Sequence, residues 1–299
     1  MWFRNLQIYR LGVEWKWDAT RLTEKLAHAA FRGCGAFDMQ SRGWVPPRGE
    51  EGELVVTVNR QWLIALGVEQ KLLPATVIRQ YTQARVAELE AQQGFKAGRA
   101  QARDLREQVT AELLPRAFVK RRLVYAWIDP VNRWLVIDAA SPAKAEDVLE
   151  QLKLTLDDLP LKLLRTRNAP GTAMTGWLAG NEAPAGFTID RDCELRAAGE
   201  EKAVVRYVRH ALDGEEIGRH IAAGKAVTRL AMTWRDRISF VLTEQLQVKR
   251  LAFLDVLKED AERQAEAGDD LFEADFALMS GELAQLMADL AAALDGEAE

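Results

Sequence analysis

The chain is short of the side chains that commonly carry catalysis. Its 299 residues include two cysteines, Cys34 and Cys193, and three histidines, His28, His210 and His220. Two cysteines without paired spacing supply neither a disulfide framework nor a Cys-x-x-Cys metal motif. The scattered histidines form no His-Glu-x-x-His, and no Gly-x-Ser-x-Gly occurs. Gly171-Thr172-Ala173-Met174-Thr175-Gly176 has the glycine spacing of a phosphate loop. However, Trp177 and Leu178 stand where Lys and Ser/Thr are required, which excludes it. No apolar run approaches the roughly 18–20 residues that cross a bilayer, and Met1-Trp2-Phe3-Arg4-Asn5 lacks the pattern of a secretory signal. With 48% hydrophobic and 28% charged residues the composition is that of a globular protein able to bury a sizeable core. The expectation is a reduced, cytoplasmic protein with no membrane segment, catalytic residue, metal or cofactor.

What the chain does have is charge sorted by position. Asp255–Glu299 holds 14 acidic residues against 2 basic ones, Lys258 and Arg263, a local balance of −12. The whole chain carries −5, so −5 less −12 leaves +7 on residues 1–254. Within that body, Lys96–Arg122 has 8 basic and 3 acidic residues. Such segregation points to a polyanionic partner for the body.

Alternation and breakers predict an α+β fold of antiparallel sheets with segregated helices. A strand over residues 2–11 leads to a helix capped by Asp18 or Thr20 and running to Phe31. Leu54–Val58 and Trp62–Val68 form a hairpin about Asn59-Arg60-Gln61. Pro74 then opens a helix with Val77, Tyr81, Ala84, Ala87 and Ala91 on one face. Gly94 and Gly98 interrupt it before a second helix, Arg99–Leu114, stopped by Pro115. Strands follow at Val119–Ile128 and Trp134–Ala139, with a helix at Pro142–Leu154. Prolines and glycines between Pro160 and Gly186 suggest a loose region and a boundary. Beyond it come a strand at Ala203–His210, a helix at Gly214–Ala223 and strands at Lys225–Trp234, Arg237–Thr243 and Val248–Phe253. A charged stretch, Glu262–Asp270, precedes a last helix, Phe272–Leu294. The implied division is a central α+β region of residues 1–73 and 119–170, a protruding helical arm of residues 74–118, and a second α+β region of residues 171–299 with an acidic helical end.

The basic residues fall on faces. Lys96, Arg99, Arg103 and Arg106 recur at steps of 3, 4 and 3, opposite a packing stripe of Ala102, Leu105, Val109 and Leu113. A cationic stripe can track a phosphate backbone by releasing its counterions; the alternative is a solvated face with pairs such as Arg103–Glu107. Arg116 follows, then Lys120 and Arg122 on one strand face and Arg121 on the other. The segment Arg206–His210 adds Arg209 and His210. In the later strands, alternation puts Ala226, Leu230, Met232 and Trp234 in the core and Lys225, Val227, Arg229 and Arg237 outside. The nine tryptophans are not interleaved with the densest basic run and are expected to be core. Phe118, at the junction of arm and sheet, is either core or an anchor for a subunit contact. Asp129 and Asp138 flank a strand pair and would serve a Mg²⁺-dependent nuclease; strand ends and turns are the alternative.

Several segments together resemble the bacterial recombination-associated RdgC family. They are Trp2-Phe3-Arg4-Asn5-Leu6 with Tyr9-Arg10-Leu11, Gly43-Trp44-Val45-Pro46-Pro47, and Leu114-Pro115-Arg116-Ala117-Phe118. Further on stand Trp127-Ile128-Asp129, Lys144-Ala145-Glu146-Asp147, His220-Ile221, Gly224-Lys225-Ala226-Val227-Thr228 and Lys249-Arg250-Leu251. Ala274-Asp275-Phe276-Ala277-Leu278-Met279-Ser280-Gly281-Glu282-Leu283 completes the set. The resemblance implies a non-enzymatic, sequence-independent DNA-binding protein of the nucleoid. It further implies a ring-shaped homodimer around double-stranded DNA that restrains RecA-promoted strand exchange, with single-stranded DNA left open as a ligand. It places Phe118 at an arm-tip contact, plugging the partner subunit, and Arg209, His210 and Lys225 toward DNA with the basic arm. Phe95, Ala97 and Gly98 depart from the basic pattern of that arm. A scaffold that binds a recombinase through its acidic end is a further alternative.

Overall fold

Where the chain reverses between strands, consecutive residues adopt left-handed backbone. Asn59 and Arg60, with φ of 51° and 64°, and Arg235 and Asp236, with φ of 46° and 54°, make turns whose twist matches that of the flanking strands. The computed structural model describes residues 1–49, 51–199, 202–255, 257 and 271–298. In chain order it contains β1 (Gln7–Leu11), α1 (Ala19–His28), β2 (Gln40–Val45), β3 (Val56–Val58), β4 (Gln61–Lys71), α2 (Ala75–Gln93) and α3 (Arg99–Leu113). A 3-10 turn, Leu114–Arg116, leads to β5 (Val119–Asp129), β6 (Trp134–Ile137), α4 (Pro142–Thr155) and β7 (Leu161–Leu163). Then come α5 (Pro170–Gly180), β8 (Phe187–Ala197), β9 (Val204–Tyr207), α6 (Glu215–Ala222), β10 (Lys225–Trp234), β11 (Ile238–Thr243), β12 (Val248–Phe253) and α7 (Leu271–Ala293).

The strands make two antiparallel sheets, and the fold is α+β. The first has the order β2-β4-β5-β6-β1-β7, with β3 also on β4; the second has the order β12-β11-β10-β8-β9. Alternation sends Trp62, Ile64, Leu66, Val124 and Ile128 to one face of the first sheet, where α1 contributes Leu22 and Leu26 and α4 contributes Val148 and Leu152. The opposite face, with Ile8, Leu63, Trp127 and Val136, shares a core with Leu230, Met232 and Phe240 of the second sheet and Phe276, Met279 and Leu283 of α7. The sheets meet where Leu6 pairs with Val248. Six of the nine tryptophans are buried, as expected from their spacing, among them Trp127 and Trp234 with no exposure.

Four expectations about the elements are corrected. Val227 is fully buried and Ala226 exposed, because a bulge at Thr228 shifts the register of β10 on β8. Alternation read across an extra residue inverts every assignment beyond it. The region between Pro160 and Gly186 is not loose. Pro170 starts α5, whose Met174 has no exposure, so the glycines of the rejected phosphate loop lie in a packed helix. Strand β8 falls where no strand is expected: most of its residues between Thr188 and Asp192 are polar, and two irregularities against β10 break its period. Finally, α2 packs through Ile78 rather than through the face that carries Tyr81, which is 52% exposed. Glu262–Asp270 lies outside the described residues.

The acidic helix α7 is held to the body by its carboxylates. Glu282 accepts two hydrogen bonds from Arg237 at 2.8 and 3.1 Å, so Arg237 is tied to α7 rather than free on an open face. Asp289 accepts from Arg235 at 2.7 Å and from the buried Trp234 Nε1 at 2.8 Å. Glu273 pairs with Arg48, and Asp275 with the amino group of Met1. We expect Asp289→Ala to lose about 1–3 kcal/mol, because an indole N–H would be left buried without a partner. Asp289→Asn, which keeps an acceptor, should lose less. Urea unfolding measures both; an Ala variant as stable as the parent would show that the contact contributes nothing.

Candidate nucleic-acid interface

The outward face of the second sheet gathers positive charge across its strands. Arg206 on β9 lies opposite Glu194 on β8, which lies opposite Arg229 on β10. Glu194 is 4% exposed and accepts from Arg206 Nε at 2.7 Å, Arg196 at 3.2 Å and the Thr228 hydroxyl at 2.8 Å. Burial alone would raise its pKa, but Thr228, Arg206 and Arg229 together hold it below the ordinary carboxylate value. Beyond Arg229 lies Lys249 on β12, whose pKa is lowered by burial and by repulsion from Arg229. A cavity of about 390 Å³ opens here, lined by Arg206, Arg229, Lys249 and Arg250 among others.

Next to this face, the β9–α6 connection carries Arg209 and His210. Arg209, with φ of 54°, donates its backbone N–H to Asp192 at 2.7 Å, and its side chain is exposed. The His210 ring lies 5.3 Å from that of Tyr207, and His220 lies on the same tyrosine at 6.3 Å. His220 Nδ1 is 3.3 Å from Lys225 Nζ, which brings Lys225 into the group. His210 and Lys225 therefore gather about Tyr207 and His220, with Arg209 beside them in the chain, whereas Arg229 faces Arg206 across Glu194 on the outward side of the sheet. Arg206, Lys249 and Arg250, which share the cavity with Arg229, are not among the binding residues expected from the sequence. Their signal was available only through strand pairing: Arg206 becomes a neighbour of Arg229 once β8 is inserted between them.

The other basic residues belong to the first half of the chain. Lys96 lies in the loop between α2 and α3, and Arg99, Arg103 and Arg106 lie on α3; all four are exposed. Val109 is buried and Ala102, Leu105 and Leu113 are half-buried, as the opposite stripe requires. Arg103 pairs with Glu107 at 3.0 Å, so its charge is locally offset. Arg116 and Lys120 are exposed at the hairpin's root. Arg122 is different: Asp147 of α4 accepts from it and also pairs with Arg42, which spends the Arg122 charge within the fold. Arg121 stacks over Phe31 at 4.7 Å. Phe118 is 84% exposed. It stands at the root of the α2–α3 hairpin, where its carbonyl accepts from Leu72 N at 2.7 Å, and not at the Gly94–Gly98 end. Leu72 and Val119 beside it are also about half exposed.

The candidate catalytic groups are engaged elsewhere. Asp129 is fully buried and accepts from Val131 N, Asn132 N and Asn132 Nδ2 at 2.7–2.9 Å, so it closes the β5–β6 turn. Asp138 accepts from the backbone of Arg4 and Asn5 at 3.2 and 2.9 Å, and burial raises its pKa. The Cys193 thiol is pushed up to about 11 by burial and then by Asp192, the opposite of an activated nucleophile. Among the described residues no group of three or more His, Cys, Asp or Glu side chains is placed to hold a metal ion. No helix among them is long and apolar enough to cross a membrane.

The sequence profile of a family described as "Putative exonuclease, RdgC" matches residues 1–297. The chain belongs to the RdgC family. Proteins named recombination-associated protein RdgC from Dechloromonas aromatica and Herminiimonas arsenicoxydans are each 56% identical to it, covering 99% of this chain and 98% and 99% of their own lengths. The RdgC protein of a Janthinobacterium strain is 55% identical over all of this chain and 99% of its own. Membership thus extends over both sheets, the hairpin and α7. The two descriptions attached to RdgC proteins differ in kind, one naming a process and the other a reaction.

Proposed function

We propose that this chain is a sequence-independent DNA-binding protein that acts in homologous recombination by occupying duplex DNA. One observation carries the proposal: cations from three separated strands, Arg206, Arg229 and Lys249 with Arg250, line one cavity on the second sheet, and Arg209 and His210 lie in the connection that follows Arg206. Arginine and lysine held on sheet and loop surfaces can grip phosphates, which fixes position without conveying base sequence. RdgC relatives bear the name recombination-associated, and a protein that coats duplex would restrain RecA-promoted strand exchange by competition for DNA. In this proposal two subunits close into a ring, with the α2–α3 hairpin as a protruding arm. Phe118 and its exposed neighbours Leu72 and Val119 form an apolar patch of the kind that marks a subunit contact. The cytoplasmic nucleoid is the setting that follows.

A Mg²⁺-dependent nuclease is the competing function, and the family description favours it. Its natural ligands here, Asp129 and Asp138, are held by backbone amides. One experiment separates the two. Unrelated duplexes should bind with similar affinity, and plasmid incubated with the protein and Mg²⁺ should stay intact. Cleavage that disappears in Asp129→Asn, or strong preference for one short site, would overturn the proposal.

A further inference from the structure

The cavity between β8, β10 and β12 has a construction that a plain basic face does not require. On β12 two residues, Arg250 and Leu251, oppose the single Phe240 of β11, a bulge between the Val241–Lys249 and Ser239–Ala252 pairs. Consecutive residues of a regular strand point to opposite faces. The bulge instead lets Lys249 and Arg250 line the same cavity. It does so with Arg250 in left-handed backbone at φ of 52°, a conformation that is strained for a non-glycine residue. The Lys249 ammonium makes no hydrogen bond or ion pair among the described residues, and the charge it feels is Arg229 rather than an acid. The one deeply buried carboxylate nearby, Glu194, is already taken by Arg206, Arg196 and Thr228. Arg250 has only a distant partner, Asp192 at 3.7 Å.

Part of the cavity lining comes from next to the first sheet. Asn5 lines the cavity beside the seam where Leu251 N donates to Arg4 O at 2.8 Å, and Val241 adds an apolar surface. A pocket of about 390 Å³ is large enough for a small ligand. A continuous phosphate backbone needs an open track, whereas a terminal phosphate needs converging donors. We propose that this cavity is a binding site for a terminal phosphate dianion, a phosphate monoester carried by a nucleotide, with Lys249, Arg250 and Arg229 as its donors. The phosphate supplies the anion that Lys249 lacks and that Arg229 meets only as Glu194 at 4.0 Å. Ammonium and guanidinium groups to phosphate make the stronger class of hydrogen bond. Two sources carry this chemistry, a free mononucleotide and the phosphorylated end of a DNA strand. The proposal goes beyond duplex binding and does not depend on it.

Calorimetric titration of the full chain, without duplex, tests it with inorganic phosphate, AMP and adenosine. Phosphate or AMP should bind saturably and adenosine should not. Lys249→Gln should weaken binding about tenfold or more, since a charged donor is lost, while Lys249→Arg keeps most of it. Arg250→Gln should weaken it similarly and also relieve backbone strain little, so the two variants are independent. Single-stranded oligonucleotides with a 5′-phosphate or a 5′-hydroxyl then distinguish the sources. A phosphate-dependent difference that Lys249→Gln removes assigns DNA ends, and its absence assigns free nucleotide. The proposal is overturned if neither phosphate nor AMP binds at millimolar concentration, if adenosine binds as well as AMP, or if both variants match the parent. Because no duplex is present, that failure would leave the duplex-binding proposal untouched.

Discussion

Replacing Arg209, Lys225 and Arg229 together with glutamine should weaken duplex binding by about 500-fold near 0.1 M salt. Each phosphate contact contributes about −0.9 to the slope of log affinity against log salt, or about eightfold at that concentration. Three lost contacts should therefore also flatten the slope by about 2.7. The three side chains are good subjects because the fold makes little use of them: Arg209 acts structurally through its backbone N–H, and Arg229 approaches Glu194 only to 4.0 Å. Arg122→Gln is the informative contrast, since Asp147 already holds that guanidinium, and its effect on binding should be small. Electrophoretic or anisotropy titrations at several salt concentrations, on two unrelated duplexes, give affinity and slope together. A triple variant with the parent's slope would mean that phosphates are held somewhere other than the second sheet. If recombinase inhibition survived the triple change unaltered, direct contact with the recombinase would replace DNA occupancy as the explanation.

Phe118→Ala should separate subunits without unfolding them. The ring is 84% exposed in the isolated chain, so truncating it removes almost no intramolecular packing. At a subunit contact, an aromatic of this kind is typically worth 2 kcal/mol or more, about a thirtyfold or larger rise in the dissociation constant. The expected result is a lower average mass on dilution, by sedimentation or mass photometry, with an unchanged midpoint of urea unfolding. Faster escape from circular DNA should accompany it, because a closed assembly must open before it leaves the duplex. A mass that does not change on dilution would show that Phe118 takes no part in self-association.

How far the sequence spoke depended on whether each element obeyed a regular period. The hairpin at Asn59-Arg60, the strands from Lys225 to Phe253 and the span of α7 followed from alternation, turn residues and apolar spacing. Proline and glycine misled between Pro160 and Gly186, because Pro170 stands at the first position of α5, where its missing N–H costs nothing. Bulges erased the rest: Thr228 on β10, the irregular stretch around Asp190–Asp192 on β8, and Arg250 on β12 each break the two-residue repeat. Of the binding residues, exposure was legible and partnership was not. Arg209, Lys225 and the α3 arginines are on the surface, yet nothing in the sequence reveals that Arg122 answers Asp147, or that Lys249 and Arg250 point the same way. The acidic end was legible as composition alone, and its ties to Arg235, Arg237 and Arg48 emerge only from the packing of α7.

The seam between Leu6 and Val248 has a consequence for how the chain is made. Phe3, Leu6 and Ile8 share their apolar environment with Phe276, Met279 and Leu283, so these early residues wait for a helix made more than 250 residues later. Contacts of such long sequence separation slow folding and leave apolar surface uncovered meanwhile. A nascent chain halted before Leu271 should therefore hold its early strands open, attracting chaperones until α7 is made.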